Sequence, residues 1–248
     1  MDQQFTLLAK EADMLCRDYF GKRLAACYLH GSIAMGDAIA GISDLDYYVV
    51  LSESLTEEDR SWLCNTKEQL EGRYSICPEV HLTVCTVEEL KGNSFARFAL
   101  KYNAQRMSGA DVLSSMENDG YPVPLPDAAM AKGRLGFARQ CFREALEGKQ
   151  PACTGEIPVD PGYAARKFAR YFVVIEGAYF LMSRGEFTCF AKDMVLASLQ
   201  RLAGDYEHAL EMTGRVLQDP QTAGVDGDTL LKTIAPLVWW MFDEIEKA

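Results

Sequence analysis

The chain has 248 residues, of which 36 are acidic and 25 are basic, so its formal net charge is −11. Because a protein that binds a long nucleic acid needs a clustered Lys and Arg surface, this charge weighs against a nucleic-acid partner. The three histidines are too few to predict a histidine-rich zinc site.

The first stretch of the chain predicts a cytoplasmic protein. Residues 1–20 contain acidic residues and lack the long apolar core of a signal peptide. Apolar residues at helical spacing predict a packing helix over Phe5 to Phe20. The eight cysteines are scattered without a C-x-x-C pair, which is typical of thiols in a reducing compartment. No apolar run approaches the roughly 20 residues of a membrane span, so no membrane partner is expected.

Two short apolar runs, Leu24 to Leu29 and Leu45 to Leu51, are predicted to be buried β-strands. The first ends in a small-residue bend, Gly31-Ser32, and the second carries Asp44 and Asp46 at its head. Since side chains two apart on a strand point to the same face, both carboxylates should project together. Such a pair needs a cation or strong donors, and Mg²⁺ prefers carboxylates together with substrate phosphates. A solvated Asp-Leu-Asp at the start of a strand is the alternative interpretation.

Gly31-Ser32 followed by Asp44-Leu45-Asp46 in an apolar strand resembles the signature of the DNA polymerase β-type nucleotidyltransferase superfamily. The resemblance implies a catalytic domain with a mixed β-sheet and helices, in which the Gly-Ser bend holds a nucleoside triphosphate. It also implies that Asp44 and Asp46 bind divalent metal and that a third carboxylate arrives from a neighbouring strand.

The third carboxylate is expected at Glu79. A capping-box pattern at Ser54 first predicts a helix over Leu55 to Gly72. Alternating apolar and polar residues then predict a strand over Ile76 to Thr86, with Glu79 and His81 on its polar face. Glu79 and the run after it resemble the aminoglycoside adenylyltransferases, which implies a general base for the acceptor hydroxyl or a third metal ligand. An exposed edge-strand Glu is the alternative, and His81 is expected to be a surface or hydrogen-bonded strand residue.

The second half of the chain predicts a helical domain. Phe95 to Met107 has an apolar stripe at helical spacing, and the proline-punctuated stretch after Asn118 marks the predicted boundary between domains 1–118 and 119–248. The predicted class is therefore α+β, with an N-terminal nucleotidyltransferase domain followed by a C-terminal α-helical bundle. The bundle helices are expected over Asp127 to Leu146, Tyr163 to Arg184, Phe190 to Leu202, Asp205 to Leu217 and Thr229 to Ile245.

Lys192 is the functional residue expected from this helical half. The helix that ends at Gly185 and the loop before Lys192 resemble the C-terminal domain of the streptomycin/spectinomycin-type aminoglycoside adenylyltransferases. The resemblance implies that Lys192 reaches across an interdomain cleft to neutralise the triphosphate. The arginine that the family carries on the preceding helix is absent, since Gly177 stands there and Arg170 lies two turns earlier.

Together these features predict a Mg²⁺-dependent adenylyltransferase that transfers AMP from ATP to a hydroxyl of a small molecule. The implied acceptor is an aminoglycoside, and the implied role is antibiotic resistance. The triphosphate is expected on Gly31, Ser32 and Ser43, and the acceptor is expected between the domains. The alternatives are a nucleotidyltransferase that modifies a protein and a catalytically silent nucleotide-binding regulatory module.

Overall fold

The computed structural model describes residues 2–154, 157 and 159–248. The chain divides into two compact units, of which the first extends to Pro124 and the second begins at Leu125. The first unit combines a mixed sheet with helices and the second is helical, so the predicted α+β class is confirmed. Within the described ranges, no helix is long and apolar enough to cross a membrane.

A four-stranded sheet forms the centre of the first unit. Its strands are β1 (Leu24–His30), β2 (Leu45–Leu51), β3 (Val80–Thr86) and β4 (Ala104–Gly109). The strand order is β3-β2-β1-β4. Strand β1 pairs antiparallel with β2 and with β4, whereas β2 and β3 are parallel. The two predicted strands that carry acidic residues are therefore neighbours in the sheet.

Helices cover both faces of this sheet. They are α1 (Gln3–Phe20), α2 (Gly31–Ala34), α3 (Glu57–Arg73), α4 (Val87–Gly92), α5 (Ser94–Tyr102) and α6 (Val112–Asn118). Residues of α1 and α3 form one apolar core with Leu45, Tyr47, Val49 and Leu51 of β2. Residues of α4, α5 and α6 form a second core on the opposite face. Because strand side chains alternate, Asp44 and Asp46 belong to this opposite face.

The prediction of one helix over Phe95 to Met107 was wrong. Helix α5 ends at Tyr102, and Ala104–Gly109 forms the edge strand β4. Pairing with β1 supplies hydrogen-bond partners for the backbone of both strands. This long-range pairing overrides the helical periodicity of a segment that lacks β-branched residues.

Helix α3 begins later than predicted, and its capping box is Thr56 with Asp59 rather than the box at Ser54. Asp59 is buried and accepts two hydrogen bonds from Arg23, at 2.7 and 2.8 Å. The Arg23 guanidinium, assisted by donors from Thr56, holds the pKa of Asp59 well below its ordinary value. The ion pair between Arg23 and Asp59 therefore favours the capping box at Thr56 over the one predicted at Ser54.

The second unit is built from packed helices. They are α7 (Ala128–Leu146), α8 (Pro161–Phe168), α9 (Glu176–Ser183), α10 (Lys192–Leu202), α11 (Glu207–Gln218) and α12 (Gly227–Lys247). The π-helical segment Ala169–Ile175 joins α8 to α9. The rings of Trp239 and Trp240 lie 5.4 Å from Phe142 and 4.9 Å from Phe180, so both tryptophans pack within the bundle.

A buried ion pair links α7 to α9 inside this unit. Both Nε and Nη2 of Arg134 donate to Glu176 Oε1, at 3.0 and 2.9 Å. Arg134 also lies over the ring of Tyr179, 4.9 Å from its centroid. Burial raises the pKa of Glu176 despite the neighbouring Arg134. The pair therefore supports the bundle only while both partners are present.

Candidate active site

The Gly-Ser bend and the Asp46 carboxylate are packed against each other. Strand β1 runs directly into α2 at Gly31, whose φ of +72° lies in the left-handed region that favours glycine. A Cβ atom on Gly31 would overlap Asp46 Oδ2. Asp46 is also paired with His30 across the antiparallel strands β1 and β2. Only glycine at position 31 leaves room for the Asp46 carboxylate in this position.

Asp44, Glu79 and His81 form a cluster of possible metal ligands. One oxygen of each carboxylate and one nitrogen of the imidazole all lie within 4.8 Å of one another. His81 Nε2 is 3.3 Å from Glu79 Oε2, and all three side chains are partly exposed. Asp46 is not a member of this cluster among the residues that the structure describes, although it is paired with His81 in the register of β2 and β3.

Backbone contacts fix Glu79 at the start of β3. Its carbonyl oxygen accepts a hydrogen bond from Leu45 N and another from Cys77 Sγ, both at 3.0 Å. The next residue, Val80, donates its N–H to Glu71 Oε1 at 2.9 Å. These contacts hold the first residues of the parallel strands β2 and β3 together. They explain why Glu79 lies beside Asp44 although the two residues are far apart in the chain.

Lys67 of α3 is a neighbour of this cluster that the sequence analysis missed. Its Nζ lies 3.4 Å from Glu79 Oε1 and 3.6 Å from Glu71 Oε1. The Lys67 and Glu79 side chains are 39% and 44% exposed, so their ion pair is worth at most about 1 kcal/mol. The spacing of Lys67 and Glu71 on one helix predicts that pair, but nothing local in the sequence relates Lys67 to Glu79.

A cavity of about 290 Å³ opens on the same face of the sheet. Its wall includes His30 and Asp46, so it begins next to the Gly31 bend. The remaining wall is mostly apolar, and α5 contributes part of it. An organic group could occupy this space while a charged group stays near Asp46. The lining residues are His30, Asp46, Tyr47, Tyr48, Thr83, Ala96, Ala99 and Leu100.

The other predicted ligand residues lie in three places. Ser32 is in the single turn of α2 and is partly exposed, and its carbonyl accepts a hydrogen bond from Asp37 N. Ser43 is buried, and its hydroxyl accepts a hydrogen bond from Ile39 N at 2.9 Å, so it holds the loop before β2. Lys192 is the first residue of α10 in the second unit. Nucleotide contacts from all three residues stay predictions.

The donors of the Asp44, Glu79 and His81 cluster fit a divalent cation. Carboxylate oxygens suit Mg²⁺ and Mn²⁺, and imidazole suits the transition metals. All three side chains are reached by solvent, so an ion could enter without unfolding the site. Asp46, which points to the adjacent bend, could offer a further oxygen to an ion or to a metal-bound phosphate.

Comparisons with known proteins agree with this architecture. A solved structure of the spectinomycin adenyltransferase AAD(9) from Enterococcus faecialis, with ATP and spectinomycin, is 14% identical to this chain at a TM-score of 0.55. The match covers 97% of this chain and 99% of that one. Two toxin–antitoxin structures, one with AMP-PNP and one a MntA-HpeT mutant, each cover 44% of this chain and 77% of theirs at 19% identity. Their TM-scores of 0.33 and 0.32 are too low to support an argument.

No protein-family model matches the chain, and no curated protein matches it. The likeness to the spectinomycin adenyltransferase is thus a likeness of fold, and it extends over nearly the whole chain. The motif of Gly31-Ser32 and Asp44-Leu45-Asp46 predicts a fold of this kind, and the chain shares the fold of the spectinomycin adenyltransferase.

Proposed function

We propose that this chain is an adenylyltransferase that transfers AMP from ATP to a hydroxyl group of an aminoglycoside-type small molecule, with Mg²⁺ as cofactor. The observation that carries the proposal is the placement of three acidic residues at the adjacent starts of β2 and β3. Asp46 packs on the Gly31 bend, and Asp44 lies beside Glu79, which directly precedes β3. The fold shared with a spectinomycin adenyltransferase supports the same conclusion.

The Gly31-Ser32 bend binds the triphosphate in this proposal. Backbone N–H groups and the Ser32 hydroxyl would donate hydrogen bonds to phosphate oxygens. Successive backbone N–H groups in a turn form a concave site that binds anions. A phosphate on the bend would lie beside the Asp46 carboxylate, so a cation would be needed to offset the two negative charges. Asp44, Asp46 and Glu79 are the residues that would hold that cation. When bound, Mg²⁺ offsets the charge of the triphosphate and of the departing pyrophosphate.

Glu79 prepares the acceptor for reaction. One oxygen of its carboxylate would hold the cation, and the other accepts the proton of the acceptor hydroxyl as the hydroxyl oxygen attacks the α-phosphorus of ATP. A new phosphorus–oxygen bond forms, the bond between the α-phosphorus and the bridging oxygen breaks, and pyrophosphate leaves. General bases of this kind contribute about 10²- to 10⁴-fold to the rate. Glu79 is suited to the role because its backbone is fixed while its side chain is 44% exposed.

The charge of the chain supports a cationic acceptor. The net charge of −11 favours the approach of a polyamine such as an aminoglycoside. The similar structure was determined with spectinomycin, which makes that compound the first acceptor to test. Lys192 is proposed to neutralise the triphosphate, a role that suits a flexible ammonium group.

The test is mass spectrometry of a panel of aminoglycosides and spectinomycin after incubation with ATP, Mg²⁺ and the protein. We expect one compound to gain the mass of one AMP group. Glu79→Gln should lower the rate at least about 100-fold. Glu88→Gln is the matched control, because Glu88 is an exposed glutamate of the same unit that pairs with Lys91. If no compound gains AMP, modification of these antibiotics is excluded as the function. If Glu79→Gln leaves the rate unchanged, Glu79 is excluded as the general base.

A further inference from the structure

We propose that His81 is a metal ligand, so that this site holds a mixed nitrogen and oxygen set that prefers Mn²⁺ or a similar transition metal to Mg²⁺. The inference rests on the metal site of the proposed function and adds a ligand to it. Its basis is the cluster of Asp44, Glu79 and His81, which lies at the ends of two parallel strands.

The spacing of the three side chains fits one ion. In octahedral coordination with bonds of about 2.1 Å, neighbouring ligand atoms lie about 3 Å apart and opposite ones about 4.2 Å apart. His81 Nε2 and Glu79 Oε2 are separated by 3.3 Å, which is close to the distance for neighbouring ligands. The three ligand atoms lie within 4.8 Å of one another, so small side-chain rotations would bring all three to one centre.

The chemistry of the set decides which ion it favours. Mg²⁺ is a hard cation that takes oxygen ligands and keeps several waters. Imidazole nitrogen binds transition metals more strongly, and affinity rises from Mn²⁺ towards Cu²⁺ for most nitrogen and oxygen sites. A carboxylate site that also offers His81 therefore gains little for Mg²⁺ from the imidazole but gains much for Mn²⁺, Co²⁺ or Zn²⁺.

Lys67 competes with the ion for Glu79. Its ammonium lies 3.4 Å from Glu79 Oε1, but both side chains are more than a third exposed and the pair is weak. Lys67 also has Glu71 within 3.6 Å, so it keeps a carboxylate partner when an ion takes Glu79. Removing the Lys67 charge should strengthen cation binding, which gives a second, opposite test of the same site.

The experiment is electron paramagnetic resonance of Mn²⁺ added to the full chain without nucleotide. The metal alone is used because the adenine ring would add its own nitrogen signal. Spin-echo modulation from ¹⁴N reports a directly bound imidazole. The measurement is made at mildly alkaline pH, because imidazole binds metal ions in its neutral form. His81→Leu is compared with His208→Leu, since His208 is an exposed histidine of the second unit.

We expect ¹⁴N modulation in the wild type and in His208→Leu, and none in His81→Leu, which should also bind Mn²⁺ at least about tenfold more weakly. His81→Asp should restore binding without the nitrogen signal and should lose the preference for Mn²⁺ over Mg²⁺. Lys67→Gln should bind Mn²⁺ more tightly than the wild type.

The outcomes separate this inference from the proposed function. Mn²⁺ binding without ¹⁴N modulation, or modulation that survives in His81→Leu, would overturn the assignment of His81 and leave AMP transfer to be judged by its own assay. Nitrogen-coupled Mn²⁺ binding in a protein that transfers no AMP would support His81 as a ligand and overturn only the adenylyltransferase.

Discussion

Gly31→Ala tests whether nucleotide binding depends on the close contact between the bend and the Asp46 carboxylate. The new Cβ would overlap Asp46 Oδ2, which must withdraw by about 1 Å to reach an ordinary van der Waals separation. A displacement of that size in a positioned group costs up to about 100-fold in activity. The substitution also places alanine at a φ of +72°, which costs about 1 to 2 kcal/mol of stability.

Gly36→Ala is the matched control for that prediction. Gly36 has a φ of +76°, close to that of Gly31, but a Cβ there would meet nothing within 4 Å. Both variants should therefore lose a similar free energy of unfolding in urea. Gly31→Ala alone should lose affinity for Mg²⁺-ATP, by at least tenfold or about 1.4 kcal/mol in a calorimetric titration. Equal affinities for the two variants would show that contact between the bend and Asp46 does not matter for nucleotide binding.

Two further predictions concern buried ion pairs. Asp59→Asn should lower the free energy of unfolding by about 2 to 3 kcal/mol, less than for a fully buried pair because the Arg23 side chain is 30% exposed. Because folding lowers the pKa of Asp59, the ion pair stabilises the wild type above a pH of about 3.9, and this stabilisation should be lost progressively as the pH falls further. Urea unfolding of the wild type at several pH values measures the loss. No loss at low pH would show that the Asp59 carboxylate is not stabilised by Arg23. Arg134→Met should cost about 3 to 5 kcal/mol because it leaves the Glu176 carboxylate buried without its partner, and adding Glu176→Gln should recover part of the loss. A double variant no more stable than Arg134→Met would show that the Glu176 charge is not the cause.

The sequence predicted the strands that carry the site because their signals are local. The apolar run that ends at Gly31 and the run that follows Asp44 are each bounded by turn residues, and β1 and β2 lie where these runs occur. Alternation along a strand also placed Glu79 and His81 on one face. The class of the fold followed from the change to helical periodicity after Asn118.

The features that were missed depend on contacts between distant parts of the chain. Strand β4 exists because Ala104–Gly109 pairs with β1, and nothing in its own sequence favours a strand over the end of a helix. The choice of Thr56 and Asp59 as the capping box depends on Arg23. Lys67 reaches Glu79 only because α3 packs beside β3, and His81 becomes a candidate ligand only when Asp44 is seen on the next strand.

The Gly31-Ser32 bend and the acidic residues beside it are proposed to bind a triphosphate through a divalent cation. The most direct test is calorimetric titration of ATP, with and without Mg²⁺, into the wild type and Asp46→Asn, with Asp119→Asn as an exposed control from the same unit. ATP should bind the wild type and Asp119→Asn only when Mg²⁺ is present, and Asp46→Asn should lose this dependence together with most of its affinity. Equal Mg²⁺-dependent binding by Asp46→Asn and the wild type would show that the Asp46 carboxylate does not hold the cation.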